Sequence, residues 1–218
     1  MDWKTTIVIG FGLLVLNTSA FSVTILENEP LMKDAMVQFS LASDGVASAV
    51  DPALTFFREL QQRYPEDPMI LARIGSLTSM QARDAWAPWN KMRYAEQGLD
   101  MLDQALEKVE PDSKDTFRGV HYIHSVRLIA AITFSQMPGF FNRHGQAERL
   151  FNKIVSDSAF TQTPQDFQAQ VWLSYADMAV QQNQTLLART RLKKAAAISP
   201  QSEAGNKATQ LLLSGDIQ

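Results

Sequence analysis

Apolar residues recur at intervals of three and four along most of the chain, and the clearest example lies between Gln170 and Pro200. Such intervals place side chains on one face of a helix. The first run in this stretch predicts one helix face, and it consists of Trp172, Tyr175, Ala176 and Ala179. The second run predicts another face, with Ala188, Leu192 and Ala195. The polar residues 181–184 predict a turn, so the stretch predicts two helices packed against each other.

The same spacing predicts helices elsewhere in the chain. They are expected over 31–41, 51–64, from 67 to about 80, 88–109, 115–136, from just after 141 through 154, and over 202–213. Residues 81–89 interrupt the pattern, either as an insertion or as an extension of both neighbouring helices. Because proline ends or begins helices but disrupts their interior, Pro111 and Pro200 are expected to lie just beyond helix ends.

Several predicted helix starts carry a capping residue. An Asp or Thr followed by Pro is typical of a cap and first helical position, and it occurs at Asp51, Asp67 and Thr163. Ser202 is the expected cap of the last helix. Phe140 and Phe141 stand before a helix, where stapling onto its first turn is favoured over contact with a partner.

Trp172 and Ala176, with Ala188 and Pro200 further on, stand at the spacing of one repeat unit that resembles the tetratricopeptide repeat family. Two weaker echoes support the resemblance: Ala53, Phe57 and Pro65 repeat the spacing of the second half of the unit, and Ala147 and Phe151 repeat part of it. The resemblance implies an all-α fold, a right-handed α-solenoid of about three to four antiparallel helix pairs with a C-terminal capping helix, over residues 31–214. A generic helical bundle is the alternative.

The resemblance also implies a binding surface, since the first helix of each pair lines the concave side in that family. Carried onto the clearest unit, this surface would hold Gln170, Leu173, Asp177 and Val180. Trp86 and Trp89, in the interruption at 81–89, are a second candidate for contact with a partner. Exposed aromatic side chains bury much area at small entropic cost, but stapling onto the first turn of the following helix is an equally good interpretation of these two residues.

Composition excludes several classes of protein. The chain has 218 residues, of which 45% are hydrophobic and 20% charged, as is ordinary for a globular protein. A formal net charge of -3 offers no basic footprint for nucleic acid. The absence of cysteine excludes disulfides, a thiol nucleophile, thiolate metal ligands and a lipid-modified N-terminal cysteine.

Residues 1–22 are predicted to be a signal peptide. Lys4 precedes a largely apolar run that ends near Leu16, and small residues follow at a spacing suited to cleavage. Apolar residues continue to Leu26, so an uncleaved N-terminal anchor is the alternative, and membrane contact is then expected only through 1–26. The expected location is the bacterial periplasm, or the inner membrane if the anchor is retained.

Reactive constellations are few. His121 and His124 are three residues apart on a predicted helix and would suit a shared metal, but a polar helix face is the more economical interpretation. The chain has no phosphate-cradling glycine loop, dinucleotide fingerprint or G-x-S-x-G motif. The row Asp100, Asp103 and Glu107 is typical of a solvated helix face. No cofactor, resident metal or catalytic residue is predicted.

The leading functional prediction is an exported, non-enzymatic helical-repeat scaffold that binds a protein or peptide partner, as an assembly or accessory factor. A carrier of a small molecule or lipid is the second hypothesis, with a cavity lined by Val120, Ile123, Ile129, Ile132 and Phe134. A metal-dependent enzyme using His121 and His124 is the third.

Overall fold

The structure, a computed structural model, describes residues 26–110 and 115–214, and it confirms the all-α prediction. The helices are α1 (Pro30–Ser43), α2 (Val50–Arg63), α3 (Pro68–Asp84), α4 (Pro88–Lys108), α5 (Tyr122–Ser135), α6 (His144–Val155), α7 (Gln165–Gln181), α8 (Thr185–Ile198) and α9 (Glu203–Leu213). None of the helices within the described ranges is long and apolar enough to cross a membrane. The predicted targeting segment, 1–22, and Pro111 lie outside the described residues.

Helices that follow one another in the chain pack as pairs. Helix α1 packs with α2, α3 with α4, α5 with α6, and α7 with α8. The first helix of each pair also contacts the first helix of the next pair, and α9 packs on both α7 and α8. Each pair therefore buries its apolar face partly against its own partner and partly against its neighbour.

The most extensive of these contacts joins α3 and α4, where two glycines face each other. A Cβ atom on Gly98 would stand 2.2 Å from the Ser79 Oγ and 2.6 Å from the Gly75 carbonyl oxygen. Only a residue without a side chain fits there, so the two helix backbones approach each other closely. Gly75 makes the other half of this crossing.

The interruption at 81–89 is an extension of both helices, because α3 continues to Asp84 and α4 begins at Pro88. Residues 85–87 form the short connection. The long helix predicted over 88–109 is confirmed, since α4 ends at Lys108.

The predicted helix caps are confirmed at two positions and wrong at two others. Asp67 caps α3, with its carboxylate accepting hydrogen bonds of 2.9 Å from the amides of Met69 and Ile70. Ser202 caps α9 by accepting from the amide of Gly205 at 3.1 Å. The prediction for Asp51 is wrong, because a 3₁₀ turn at Ala47–Ala49 leads directly into α2 and places Asp51 inside its first turn.

The prediction for Thr163 is also wrong. A 3₁₀ turn at Ser158–Gln162 precedes α7, and the Thr163 hydroxyl donates to the Phe160 carbonyl oxygen at 2.7 Å. The side chain is therefore engaged by the preceding turn instead of by the helix amides. Phe140 departs from its expectation too, since it is 71% exposed, whereas Phe141 is partly buried against the core.

The helix predicted over 115–136 begins late. Residues 116–121 form a hairpin of two short antiparallel strands, β1 (Thr116–Phe117) and β2 (Val120–His121), and α5 starts at Tyr122. Arg118 and Gly119 join the strands with φ angles of 52° and 75°. Positive φ at both turn residues is the geometry of a two-residue hairpin loop, which Gly119 adopts at no steric cost.

The core divides into two apolar clusters that share helix α7. One face of α7 contributes Val171, Tyr175 and Met178 to the main cluster, which extends through α1–α6. The other face contributes to a smaller cluster with α8 and α9, made of Ala169, Leu173, Ala176, Ala179, Ala188, Leu192, Ala195, Ala204 and Ala208. Trp172 is half-buried and packs against both clusters.

Candidate functional site

Two tryptophans project into solvent where α3 turns into α4. Trp86, in the connection, is 92% exposed, and Trp89, in the first turn of α4, is 71% exposed. Met92 follows one turn later on α4 and is 41% exposed. These three residues are called the tryptophan tip. Trp86 and Trp89 are therefore surface residues.

The base of the tip is held in place by hydrogen bonds and an ion pair. The Ala87 carbonyl oxygen accepts from the amides of Asn90 and Lys91, at 3.0 and 3.1 Å. Arg83 pairs with Asp84 at 2.7 Å and also donates to the Ala42 carbonyl oxygen of α1 at 3.3 Å. The aromatic side chains thus stand on a connection fixed to the rest of the molecule.

The charges beside the tip are predominantly positive. The hydrogen bond from Arg83 lowers the pKa of Asp84, and that carboxylate and the guanidinium offset each other. Lys91 and Arg93 follow on α4, and both are exposed. The Arg93 guanidinium lies 5.0 Å from the ring centroid of Tyr94. Two exposed cationic residues therefore follow the tryptophans on α4.

The tip lies at the opposite end of α3 from the start of the described chain. Glu29 pairs with Arg63, at the end of α2, at 2.8 Å, and its other carboxylate oxygen accepts from the Tyr64 hydroxyl at 3.4 Å. Asp67 caps α3 just beyond these residues. Helix α3 has 17 residues, which at about 1.5 Å per residue places the tip roughly 25 Å away.

The surface predicted on α7 is only partly open. Gln170 is exposed and Val180 is 42% exposed. Leu173 is 4% exposed and belongs to the smaller cluster, so its prediction as a surface contact is wrong. Asp177 is half-buried, and burial raises its pKa against the attraction of Lys207 on α9. The cause is α9, which packs over the face of α7 that the resemblance assigned to a partner.

The histidine pair does not form the predicted helical arrangement. His121 ends β2 and only His124 lies in α5; their ring centroids are 5.9 Å apart and edge-on. His124 is 1% exposed, and its Nε2 lies 3.6 Å from Asp157 Oδ2. His144 lies elsewhere, with its Nε2 2.8 Å from the Met137 carbonyl oxygen. Residues 26–110 and 115–214 hold no group of three or more His, Cys, Asp or Glu placed to bind a metal ion.

The side chains proposed to line a carrier cavity are packing residues. Phe134 is fully buried, and Val120, Ile123 and Ile129 are each less than a tenth exposed. Ile132 is partly buried against the main cluster. These residues pack in the core around α5, and a ligand would have to displace their side chains.

A further surface was not predicted from the sequence. A groove of about 340 Å³ lies between α4, α5 and α6, and its floor consists of Leu106, Val109, Ile123 and Leu150. Its walls carry Arg127, Arg149 and Lys153, with Gln146 beside them. The signal in the sequence is the spacing of Gln146, Arg149 and Lys153 at three and four residues, which places them on one face of α6.

No family model, curated protein or solved structure matches the chain.

Proposed function

We propose that this protein is an exported, non-enzymatic binding protein that presents the tryptophan tip to a protein partner. The single observation that carries the proposal is the exposure of Trp86 and Trp89, at 92% and 71%, where one long helix turns into the next. Large aromatic side chains are rare on open surfaces and are enriched among the residues that contribute most to binding.

Burial of the two tryptophans would supply a substantial part of a binding free energy. An indole side chain buries roughly 150–250 Å² when covered, which is worth on the order of 4 kcal/mol before the costs of association. Each tryptophan has only two side-chain torsions to immobilise, so little conformational entropy is lost. The partner is expected to offer an apolar pocket with acidic groups at its edge, complementary to Lys91 and Arg93.

A rigid base increases the affinity that these residues can provide. The tip is fixed by the hydrogen bonds to Ala87 and by the close crossing of α3 and α4 at Gly75 and Gly98. A surface already held in its bound geometry avoids the cost of ordering on binding. This favours a preformed recognition element over a mobile loop.

We further propose that the helix pairs form a right-handed solenoid of the tetratricopeptide type, in which the rest of the chain holds the tip. Support comes from the pairing of successive helices and from the contacts between the first helices of neighbouring pairs. Helix α9 suits the role of the capping helix, because it covers the apolar face of the last pair.

The proposed location is the bacterial periplasm, reached through residues 1–22 as a signal peptide or as a retained anchor. Residues 26–29 and the tip lie at opposite ends of α3. A retained anchor in the inner membrane would then enter the domain far from the tip, which leaves the tip free for a protein partner.

Site-specific photocrosslinking in the native host tests the proposal. A photoreactive amino acid in place of Trp86 should give a discrete protein adduct, and the additional substitution Trp89→Ala should reduce its yield at least about tenfold. Leu186 is 82% exposed on a different surface and is the matched position for the control. Equal adduct yields from positions 86 and 186 would rule out the tip as a specific interface.

A further inference from the structure

We propose that the groove between α4, α5 and α6 is a second binding site, which takes an acidic peptide segment with an apolar side chain between its carboxylates. The basic groove is defined by the floor residues Leu106, Val109, Ile123 and Leu150 and the wall residues Arg127, Arg149 and Lys153. The site lies toward the end of α4, whereas the tryptophan tip lies at its beginning. It goes beyond the proposed function and does not depend on it.

The walls of the basic groove carry uncompensated positive charge. Among the described residues that line it, three are cationic and none is acidic. Arg127, Arg149 and Lys153 make no ion pair or side-chain hydrogen bond with any described residue. Burial lowers the pKa of Arg127, which is half-buried, and the charge of Asp157 partly opposes that shift. A bound carboxylate would supply the missing counter-charge.

The carboxylates near the basic groove either make hydrogen bonds or ion pairs with other residues, or lie outside the groove. At one end, Asp103 pairs with Arg143 at 2.7 Å and accepts from Gln146 at 3.1 Å. Near Arg127, Asp157 is engaged by the amide of Ala159 at 2.9 Å. Exposed Glu107 and Glu110 neighbour the floor residues of α4 in sequence but do not line the groove. The charge of the wall therefore remains available to a ligand.

The spacing of the cations favours a peptide over a single small anion. Arg149 and Lys153 stand one turn apart on α6, and Arg127 faces them from α5. Side chains one helical turn apart lie about 5–6 Å from each other, which is comparable to the separation of alternate side chains along an extended peptide. Successive side chains of an extended peptide point to opposite faces, so carboxylates on one face can meet separate cations while the apolar side chain on the other face covers the floor.

Fluorescence anisotropy tests this site with a labelled short peptide of alternating glutamate and leucine, at about 50 mM salt. Binding should be detected to the full-length protein, and the matched glutamine–leucine peptide should bind at least about tenfold more weakly. The double substitution Arg149→Gln with Lys153→Gln should also reduce affinity about tenfold or more, because both residues are exposed and their charges bind the ligand.

The matched control is Arg58→Gln with Lys193→Gln, which removes the same charges from exposed positions on α2 and α8. It should leave the affinity within about twofold, and equal losses in the two double variants would overturn the proposal as general charge attraction. Unchanged binding by the groove variant would overturn it as well. The proposal would also be overturned if inorganic phosphate displaced the peptide with an affinity as high as the peptide's own. A site for a small anion would then be sufficient to explain the binding.

The two proposals can fail separately. A variant with Trp86→Ala and Trp89→Ala should bind the glutamate–leucine peptide as the unmodified protein does, because the tip and the basic groove lie at opposite ends of α4. Loss of peptide binding in that variant would contradict the assignment to the groove, and it would not by itself test the crosslinking prediction for the tip.

Discussion

The imidazole of His124 lies in the core of the molecule, where neither ring nitrogen has a hydrogen-bond partner among the described residues. Burial lowers its pKa, and Asp157, at 3.6 Å, only partly offsets that effect. Arg127 and His121 add their repulsion to the charged form. The folded protein therefore favours the neutral ring, whereas the unfolded chain takes up a proton at the ordinary pKa of a histidine.

This difference predicts that stability falls as the pH falls through the ordinary histidine range. Below about pH 6.5 the unfolded state binds the additional proton, so the free energy of unfolding decreases by up to about 1.4 kcal/mol for each unit of pKa difference. Urea unfolding at about pH 7.5 and about pH 5.5 measures the effect. His124→Phe should reduce the difference between the two pH values, and an unchanged difference would assign the sensitivity to other groups.

Arg73 illustrates a residue whose position the sequence does not predict. Its guanidinium is buried, 5.0 Å from the ring centroid of Phe39 and 5.8 Å from that of Phe57, and burial lowers its pKa to about 10. It remains charged at neutral pH, stabilised by the faces of two aromatic rings. Helical spacing places position 73 among buried neighbours, but charged residues are normally assigned to the surface.

At the scale of helices, the crossing of α3 and α4 depends on glycine. A Cβ atom at Gly98 would lie 2.8 Å from the Ser79 amide nitrogen and 2.6 Å from the Gly75 oxygen, both of which are backbone atoms that cannot rotate away. Gly98→Ala should therefore separate the helices and destabilise the protein by about 1–3 kcal/mol, although alanine is the better helix former. Thermal or urea unfolding measures the change.

Gly145 supplies the control for that substitution. It also lies in a helix, α6, but a Cβ there would meet only the end of the Arg149 side chain, at 3.5 Å. Gly145→Ala should leave stability unchanged or raise it by up to about 1 kcal/mol, because alanine restricts the unfolded chain. Similar destabilisation by both variants would show that the close crossing is not what makes Gly98 sensitive.

The sequence predicts which segments are helical because the spacing of apolar residues reports burial on one face. It predicts local capping less well. Asp51 and Asp67 have the same Asp-Pro sequence, yet only Asp67 caps a helix, because a 3₁₀ turn continues into α2 ahead of Asp51. Helical periodicity likewise continues through the hairpin before Tyr122, where Gly119 is the residue type in the sequence that favours a turn.

The candidate surfaces depend on contacts between distant parts of the chain, which is why the sequence predicts them incompletely. Trp86 and Trp89 were recognisable because they interrupt a periodic pattern, but their exposure depends on how far α3 and α4 extend. Leu173 was misassigned because α9 packs over it. The basic groove combines α4, α5 and α6, so only its α6 face could be anticipated from spacing.

In the molecule as a whole, α7 joins the two parts of the core, and its Tyr175 contacts both the helix before α7 and the helix after it. Its ring stacks on Phe151 of α6 with centroids 4.6 Å apart, and its hydroxyl donates to Asn152 Oδ1 at 2.8 Å. On the other side, the Arg191 guanidinium of α8 lies 3.2 Å from the ring centroid and donates to the Tyr175 carbonyl oxygen at 2.9 Å. One side chain thus contacts the helices before and after its own.

Loss of this side chain should loosen the C-terminal helices selectively. Tyr175→Ala removes a buried aromatic ring, at a cost of roughly 3 kcal/mol or more, and leaves the Arg191 guanidinium without the ring that covers it. Amide hydrogen exchange in α8 and α9 should accelerate by at least about 100-fold, while α3 and α4, which pack extensively on each other, should change far less. Tyr94→Ala is the matched control, because Tyr94 is half-buried on α4 and distant from this junction. A uniform loss of protection across all helices in Tyr175→Ala would instead mean that the pairs unfold as one cooperative unit, and that α7 does not divide the molecule into separately stable parts.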